Sequence, residues 1–238
     1  MPHNKIKDAF LSAVNSVIAN PEQFAVNPAK DFSRQRKITP DTLISFLVSK
    51  GSSSARVEML DFWGLDQEMP SLPALNQQRA KLKPEALEAV LAGFNDSVSR
   101  ETGFPATDDG YRYLAADGST TTFFSSPELA SPEYFCSPGH SASGVYSIHI
   151  NAFFDLDAHI YTDAILQPVH EKNEFGAFCH IVDRHGTLPG RKNVYIGDRG
   201  YCSYNNMAHV VEQGQYFLFR TKDIHSKGLV GNFEFPET

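Results

Sequence analysis

Residues 193–201 read NVYIGDRGY, an apolar run that predicts a short strand ending at Asp198. Residues 111–119, YRYLAADGS, have the same form, with Asp117 directly after a predicted strand over residues 111–116. Open α/β sheets bind their ligands at the carboxyl ends of their strands, so both aspartates lie where a ligand is expected. Two carboxylates on neighbouring strand ends suit a hard divalent cation such as Mg²⁺. Two such ions, about 4 Å apart, could activate an attacking oxygen and stabilise a leaving one.

A simpler interpretation of each aspartate is that its side chain caps the turn after its strand. Gly118 follows Asp117, and Gly200 lies two residues after Asp198, as is common in turns. For either aspartate alone this structural role is the one we favour. Spacing along the chain does not show that the two strands are neighbours, so a shared metal site depends on the fold bringing them together.

The rest of the second half predicts a mixed α/β sheet around these two strands. Expected strands cover residues 145–154, 159–167, 193–196 and 215–221, and expected helices cover residues 171–184 and about 203–213. A Ser-, Pro- and Gly-rich stretch over residues 125–143 predicts a long loop. The order strand, hairpin, helix, strand, helix, strand indicates a mixed sheet with helical crossovers.

The first hundred residues predict an all-helical region. Ile6, Phe10 and Val14 recur at the spacing of one helix face. Thr39 before Pro40 has the form of a helix start, with Thr39 as the N-cap. Further helical segments are expected over residues 56–63, 71–82 and 84–94. Because the polar residues 101–110 indicate a linker, we predict two domains, residues 1–100 and residues 101–238.

The overall composition excludes several classes of protein. With 238 residues, of which 41% are hydrophobic and 12% aromatic, the chain can bury a core, so disorder and fibrous structure are excluded. No apolar run approaches the roughly 20 residues that span a bilayer, and the N-terminus lacks the apolar stretch of a signal peptide. Three cysteines without CxxC spacing argue against a disulfide scaffold or a zinc ribbon and favour a cytoplasmic location.

Charge is distributed unevenly along the chain. Residues 1–100 hold 12 Lys and Arg against 11 Asp and Glu, a net of +1, whereas residues 101–238 carry a net of −8. The acidic half would repel phosphates unless metal ions or local basic residues intervene. Candidate phosphate contacts form three clusters: Arg34, Arg36 and Lys37; Arg79, Lys81 and Lys83; and Arg220 with Lys222. From composition alone, the two clusters in the helical half are more simply interpreted as solvated surface charge.

Several segments, taken in order, carry a family resemblance that extends from about residue 32 to residue 222. The N-terminal segments are FSRQRKITPDTLISFLVSKG and PALNQQRAKLKPEAL, and the core segments are LAADGST, INAFFDLDAHIYTDAILQPVHEKNE, IGDRGY and FLFRTK. In these segments the chain resembles the DDE transposases of the insertion-sequence-four family, which have an RNase H-like catalytic core. The specific part of the match is IGDRGY followed some twenty residues later by FLFRTK, with the Asp-Leu-Asp and Lys-Asn-Glu segments before them.

The resemblance implies a DNA transposase that uses two Mg²⁺ or Mn²⁺ ions. It implies that the strands of Asp117 and Asp198 lie side by side, that both residues are catalytic metal ligands, and that Arg199, Arg220 and Lys222 contact DNA near the scissile phosphate. The expected partners are transposon-end DNA and a second protein chain, either an identical one or a full-length transposase. The expected fold is α/β, a helical N-terminal region followed by an incomplete RNase H-like mixed sheet with flanking helices.

One departure from the family's pattern leaves three hypotheses about activity open. The family's third acid lies in a Tyr-x₂-Arg-x₃-Glu-x₆-Lys segment, and nothing of that form follows Asp198, so we expect the N-terminal portion of a transposase. The chain is then a DDE transposase lacking its glutamate segment, or a non-catalytic remnant that binds DNA or a full-length partner and inhibits it. A third hypothesis is an RNase H-like nuclease with a substitute acid such as Asp163 or Glu174. Because Glu174 matches the family's Asn-Glu position, we do not assign it to the catalytic set.

Overall fold

The chain, seen in a computed structural model, divides into two compact units, Met1–Gly103 and Phe104–Thr238. The structure describes residues 3–34, 36–65, 69–102, 110–123, 131–136, 144–185, 192–223, 228–231 and 234. Most of the predicted linker over residues 101–110 and of the predicted loop over residues 125–143 lies outside these ranges. Within the described ranges, no helix is both long enough and apolar enough to cross a membrane.

The first unit is helical, as its apolar periodicity predicts. Its helices are α1 (His3–Ile18), α2 (Pro21–Phe24), α3 (Pro40–Ser49), α4 (Ala55–Trp63), α5 (Leu72–Arg79) and α6 (Glu85–Thr102). Thr39 takes the N-cap position of α3 with Pro40 in the first turn, which confirms the predicted helix start. Two apolar clusters form the interior, one around Val14 and Val90 and the other around Phe46 and Met59.

The second unit is a six-stranded mixed sheet with helices. Its elements are β1 (Tyr111–Phe123), β2 (Phe135–Cys136), β3 (Val145–Asp155), β4 (Ile160–Pro168), α7 (Glu174–His185), β5 (Lys192–Gly197), α8 (Tyr204–Glu212) and β6 (Tyr216–Phe219). The strand order is β2-β3-β1-β5-β6, with β4 also paired to β3. β1 runs antiparallel to β3 and parallel to β5, and β6 is parallel to β5. The predicted fold class is confirmed, and this sheet is consistent with an RNase H-like core.

The core of this unit covers one face of the sheet, where α7 packs. Leu114, Phe153 and Tyr195 lie on three neighbouring strands and are fully or almost fully buried beneath Phe178 and Ile181 of α7. Side chains alternate between the two faces of a strand, so Leu114 and Ala115 point in opposite directions. This alternation fixes which residues reach the helix-covered face and which reach the other face.

The first strand is longer than its sequence predicts. The expectation of a strand that ends at residue 116 is wrong, because β1 continues to Phe123 and Asp117 lies within it. Residues 114–123 form an unbroken antiparallel ladder with β3. Small and polar residues in DGSTTT give no apolar alternation, so the sequence resembles a turn, while the backbone pairing across the sheet holds it extended.

A buried ion pair joins the start of β1 to the end of β3. The Nε of Arg112 donates to Oδ2 of Asp155 over 2.6 Å, and both side chains are almost fully buried. The second oxygen, Oδ1, accepts hydrogen bonds from the backbone N–H groups of Asp157 and Ala158 in the turn before β4. One carboxylate therefore ties together the β1–β3 pairing and the β3–β4 turn.

We expect Asp155→Ala to lower the free energy of unfolding by about 3–5 kcal/mol, because it removes a carboxylate from a buried guanidinium. Asp155→Asn retains an oxygen for the turn and should cost less. Urea denaturation of both variants measures the difference. Asp183→Ala is the matched control, since its pair with His209 is partly exposed and should contribute under about 1 kcal/mol. An Asp155→Ala variant as stable as this control would contradict the assignment.

A second titratable group is buried at the end of α7. The pKa of His185 is lowered from 6.5 to about 4, mainly by burial; Asp163 opposes this shift, and Arg112 and Arg184 add to it. Between these two pH values the unfolded chain takes up a proton that the folded chain does not. Stability is therefore lost as the pH falls from about 6.5 to about 4.

We expect His185→Phe to remove up to about 3 kcal/mol of this pH dependence, because phenylalanine takes up no proton in either state. Phe153 already stacks against this ring, with 6.1 Å between centroids, so an aromatic replacement fits the site. Urea denaturation at several pH values between 4 and 7 gives the slopes. His180→Phe alters an exposed histidine of the same helix and should leave the slope unchanged. Identical slopes for the wild type and His185→Phe would contradict the assignment.

Candidate active site

Asp117 lies within β1, and Asp198 directly follows β5, the neighbouring parallel strand. The pairing of β1 with β5 ends at Ala115 and Ile196, and Asp117 and Asp198 each lie two residues further on. Neighbouring strands are about 4.8 Å apart. The register therefore brings the two aspartates to the same end of the β1–β5 pair, and the alternation along β1 turns the Asp117 side chain to the face opposite α7.

The IGDRGY segment folds as it does because two of its residues are glycines. A Cβ at Gly197 would lie 2.9 Å from Cβ of Tyr201, so the missing side chain lets the tyrosine ring pack under the strand end. A Cβ at Gly200 would lie 2.9 Å from Oδ1 of Asp198 and 3.9 Å from Oε2 of Glu174. Gly200 thus leaves room for two carboxylates that approach the same point.

Each aspartate also makes a local backbone hydrogen bond. Oδ1 of Asp117 accepts from the N–H of Gly118 over 2.8 Å, and Oδ1 of Asp198 accepts from the N–H of Gly200 over 2.7 Å. The simple capping role therefore holds for one oxygen of each side chain. Both side chains are exposed, and a carboxylate can accept further bonds through its remaining lone pairs.

A third carboxylate, Glu174, approaches β1 from its helix-covered face. Oδ1 of Asn173 accepts from the N–H of Gly176 over 2.9 Å and caps α7, so Glu174 is the first residue of the helix. A Cβ at Gly118 would lie 2.9 Å from Oε1 of Glu174. Its carboxylate thus reaches β1 at Gly118, on the face opposite the Asp117 side chain, and also approaches Gly200. From the sequence, Glu174 was considered only as a substitute acid. Its place in the Lys-Asn-Glu segment was the one feature of the sequence that pointed to it.

Two basic side chains contact the Glu174 carboxylate. Lys172 Nζ lies 2.8 Å from Oε1, and Nε2 of His149 lies 3.2 Å from the same oxygen. His149 is buried on β3, and its Nδ1 lies 2.9 Å from Oγ1 of Thr120 on β1. Its Nε2 makes no hydrogen bond of good geometry, so it is a buried polar atom that faces the Glu174 carboxylate without a full partner.

The pKa of Tyr201 reflects the negative charge at this edge of the sheet. Burial raises the pKa of its phenol, and the nearby carboxylates Glu174, Asp117 and Asp198 raise it further, in that order. A phenol surrounded in this way keeps its proton. All three acids therefore add negative charge around the Tyr201 hydroxyl.

The donor chemistry at this edge fits a hard divalent cation. Asp117, Asp198 and Glu174 offer carboxylate oxygens, which Mg²⁺ and Mn²⁺ prefer. As the side chains stand, no three His, Cys, Asp or Glu residues within the described ranges form a ready metal cage. The other acid suggested by the sequence, Asp163, is engaged by Arg184 over 2.7 Å.

Basic residues lie close to the second aspartate. The N–H of Arg220 donates to the carbonyl of Gly197 over 3.0 Å. The backbone of Arg220 therefore lies beside the residue that precedes Asp198. Arg199 and Lys222 are exposed nearby in the chain. In the acidic second unit, these are the positive charges that the sequence predicts for phosphate contacts.

One residue of the second basic cluster in the first unit lies over an aromatic ring. Lys81 Nζ lies 5.9 Å from the centre of the Phe32 ring. Lys83 Nζ is engaged by the carbonyl of Gln23 over 2.9 Å. The first cluster is exposed, as is Arg79 of the second: Arg34, Arg36, Lys37 and Arg79.

Comparison with known families gives one match. Residues 108–230 match the family described as Transposase DDE domain, which is just over half of the chain and includes all six strands. The comparisons with curated proteins and with solved structures found no match.

We expect Gly118→Ala to lower the free energy of unfolding by about 1–3 kcal/mol, because its Cβ would lie 2.9 Å from both His149 Nε2 and Glu174 Oε1. Ser119→Ala is the control, since its side chain lies on the other, exposed face of the same strand. Thermal unfolding measures both. Equal melting temperatures for Gly118→Ala and the wild type would show that His149 and Glu174 can accommodate a methyl group at this position.

Proposed function

Because the chain belongs to the transposase DDE domain family, we propose that it cleaves and joins DNA at transposon ends, in the manner of the insertion-sequence-four transposases. The observation that supports this most directly is the parallel pairing of β1 with β5, which brings Asp117 of β1 and Asp198, the residue after β5, to the same end of the pair. A site for phosphodiester chemistry needs anionic ligands that converge at one exposed point. Members of this family use divalent metal ions and bind DNA.

In this proposal Asp117 and Asp198 hold two Mg²⁺ or Mn²⁺ ions through their carboxylate oxygens. When bound, the ions polarise the scissile phosphate and favour deprotonation of the attacking water. The two side chains fix the position of the phosphate relative to the strand ends, and their backbone hydrogen bonds to Gly118 and Gly200 restrict their rotation. Tyr201 keeps its proton beside them and can donate a hydrogen bond.

Glu174 is the third acid of the site in this proposal. Its carboxylate reaches both Gly118 and Gly200, the residues adjoining the two aspartates. His149 and Lys172 orient it and offset the repulsion among three neighbouring negative charges. The contact with the buried His149 fixes the position of the Glu174 carboxylate, which would not be so for an acid that lies nearby without a buried partner.

DNA contacts in this proposal come from both units. Arg199, Arg220 and Lys222 bind phosphates next to the site, and the six basic residues of the two clusters make the first unit an accessory DNA-binding domain. The protein partner is a second transposase chain, since two transposon ends are joined in one reaction.

A second candidate function is a non-catalytic relative that binds DNA or a full-length transposase and inhibits it. The observation that favours it is that each acid of the site is already engaged, the two aspartates by backbone N–H groups and Glu174 by Lys172. Metal binding would have to compete with these contacts. The two candidates therefore differ in whether the chain binds a divalent cation at all.

We expect calorimetric titration of Mn²⁺ into the full chain to show binding that falls at least tenfold in Asp117→Asn and in Asp198→Asn. Removing one carboxylate takes away a charged ligand from the ion, so the loss should appear in affinity before any DNA is present. Glu174→Gln should weaken binding to a similar extent.

Glu171→Gln is the matched control, because Glu171 is an exposed acid only three residues from Glu174. Binding that is unaffected by all three site variants would refute the site. Wild-type protein that binds DNA and no metal would favour the inhibitory candidate over the catalytic one. The same variants, tested for Mn²⁺-dependent nicking of plasmid DNA, connect metal affinity to cleavage.

A further inference from the structure

Three aromatic side chains form a row across neighbouring strands of the sheet. Phe123 of β1 pairs with Tyr146 of β3, which pairs with Phe135 of β2. Directly paired residues point to the same face, so the three rings stand side by side. Ring centres are 5.8 Å apart between Phe123 and Tyr146 and 5.4 Å apart between Tyr146 and Phe135. We call these three residues the aromatic row.

The aromatic row is well ordered by packing and yet open to solvent. Tyr146 is buried in the middle with 5% exposure, whereas Phe123 and Phe135 keep 36% and 38% of their surface exposed. The Phe135 ring lies directly against Gly144, where a Cβ would collide with it. Tyr134 contacts Phe123 edge to face at 6.2 Å. Exposed rings fixed by their neighbours lose little entropy when a flat partner stacks on them.

The aromatic row lies on the same face of the sheet as the catalytic aspartates. β1 is regular from Leu114 to Phe123, so residues 117, 119, 121 and 123 all point to one face. Six residues of extended strand place Phe123 about 20 Å from Asp117. Between them Ser119 and Thr121 are exposed and polar. A polar path therefore leads from the aspartates to the rings.

The segment after β4 supports the edge of the sheet at the aromatic row. The ring of His170 lies 2.6 Å from the carbonyl oxygen of Phe135, which holds residues 169–172 beside β2. Lys172 in this segment contacts Glu174 on the helix-covered face, so this lysine is not part of the polar path.

We propose that the aromatic row binds unpaired nucleobases of the DNA strand whose phosphate lies at Asp117 and Asp198. This inference rests on the proposed function and adds the place and the form of the DNA. Stacking suits every base, because each has a flat π face, so the row would hold a single-stranded segment of any sequence. About 20 Å spans roughly six stacked nucleotides or fewer extended ones.

The test compares two DNA ligands bound to the full chain in buffer with EDTA, where no metal contributes to affinity. One is a blunt duplex and the other is the same duplex with a six-nucleotide single-stranded extension carrying 2-aminopurine. We expect wild-type protein to bind the extended DNA about tenfold more tightly and to quench the 2-aminopurine emission. Phe135→Ala and Phe123→Ala should each lose most of this preference and leave the affinity for blunt duplex unchanged.

Two further variants separate stacking from folding. Phe135→Trp keeps a flat ring and should keep the preference, with its indole emission quenched by the extended strand. Tyr216→Ala is the matched control, since Tyr216 is an equally exposed aromatic residue on β6 at the other end of the sheet. Circular dichroism melting confirms that each variant is folded.

An equal affinity of wild type and Phe135→Ala for the extended DNA would overturn the proposal, and so would an equal loss in Tyr216→Ala. The proposed function is tested separately by the Mn²⁺ titration, which does not involve the rings. If the chain binds Mn²⁺ through the aspartates but shows no preference for the extended DNA, the proposed function is supported and this inference is refuted. If the chain binds neither the blunt duplex nor the extended DNA, both the proposed function and this inference are refuted.

Discussion

The central strand β1 is constrained along both of its edges, and the geometry of the site follows from that constraint. One edge pairs in parallel with β5, and the other pairs antiparallel with β3 over ten residues. The parallel edge brings Asp117 and Asp198 to the same end of the β1–β5 pair, and the antiparallel edge sets Thr120 opposite His149 and Phe123 opposite Tyr146. A slip of one residue would turn Asp117 toward α7 and Gly118 outward, because side chains alternate along a strand.

The helix-covered face of the sheet changes character along β1 and β3. At one end it is apolar, with Leu114 against Phe153, and it is closed off by the buried Arg112–Asp155 pair. Toward the aspartates it becomes polar, and His149 is buried there with an incompletely bonded ring nitrogen. An incompletely bonded buried nitrogen costs stability, since its desolvation is not offset. The apolar end and the ion pair stabilise the sheet, so this polar end can retain an arrangement that serves chemistry.

The sequence predicted the parts of this fold that depend on local pattern. The helices of the first unit, the strand before Asp198 and the start of α3 at Pro40 all carry signals within a few residues, and the structure confirms them. The true length of β1 was not predictable in the same way, because its second half has no apolar alternation and is held by pairing with β3. Glu174 is a related case, since only the packing of α7 on the sheet brings it next to Gly118 and Gly200. The aromatic row joins residues 23 and 11 positions apart in the chain through strand pairing, which no local pattern encodes.

The motifs that carry the family resemblance also contain the glycines at which a side chain would not fit. Gly118 faces His149 and Glu174, Gly197 faces Tyr201, and Gly200 faces Asp198. In each case a single methyl group would occupy space that a polar or aromatic side chain of the site already fills. The DGS and IGDRGY segments are thus recognisable because carboxylates, an imidazole and a phenol are packed tightly around two strand ends. The same crowding explains why Tyr201 keeps its proton, since burial and the nearby charges of Glu174, Asp117 and Asp198 all raise the pKa of its phenol.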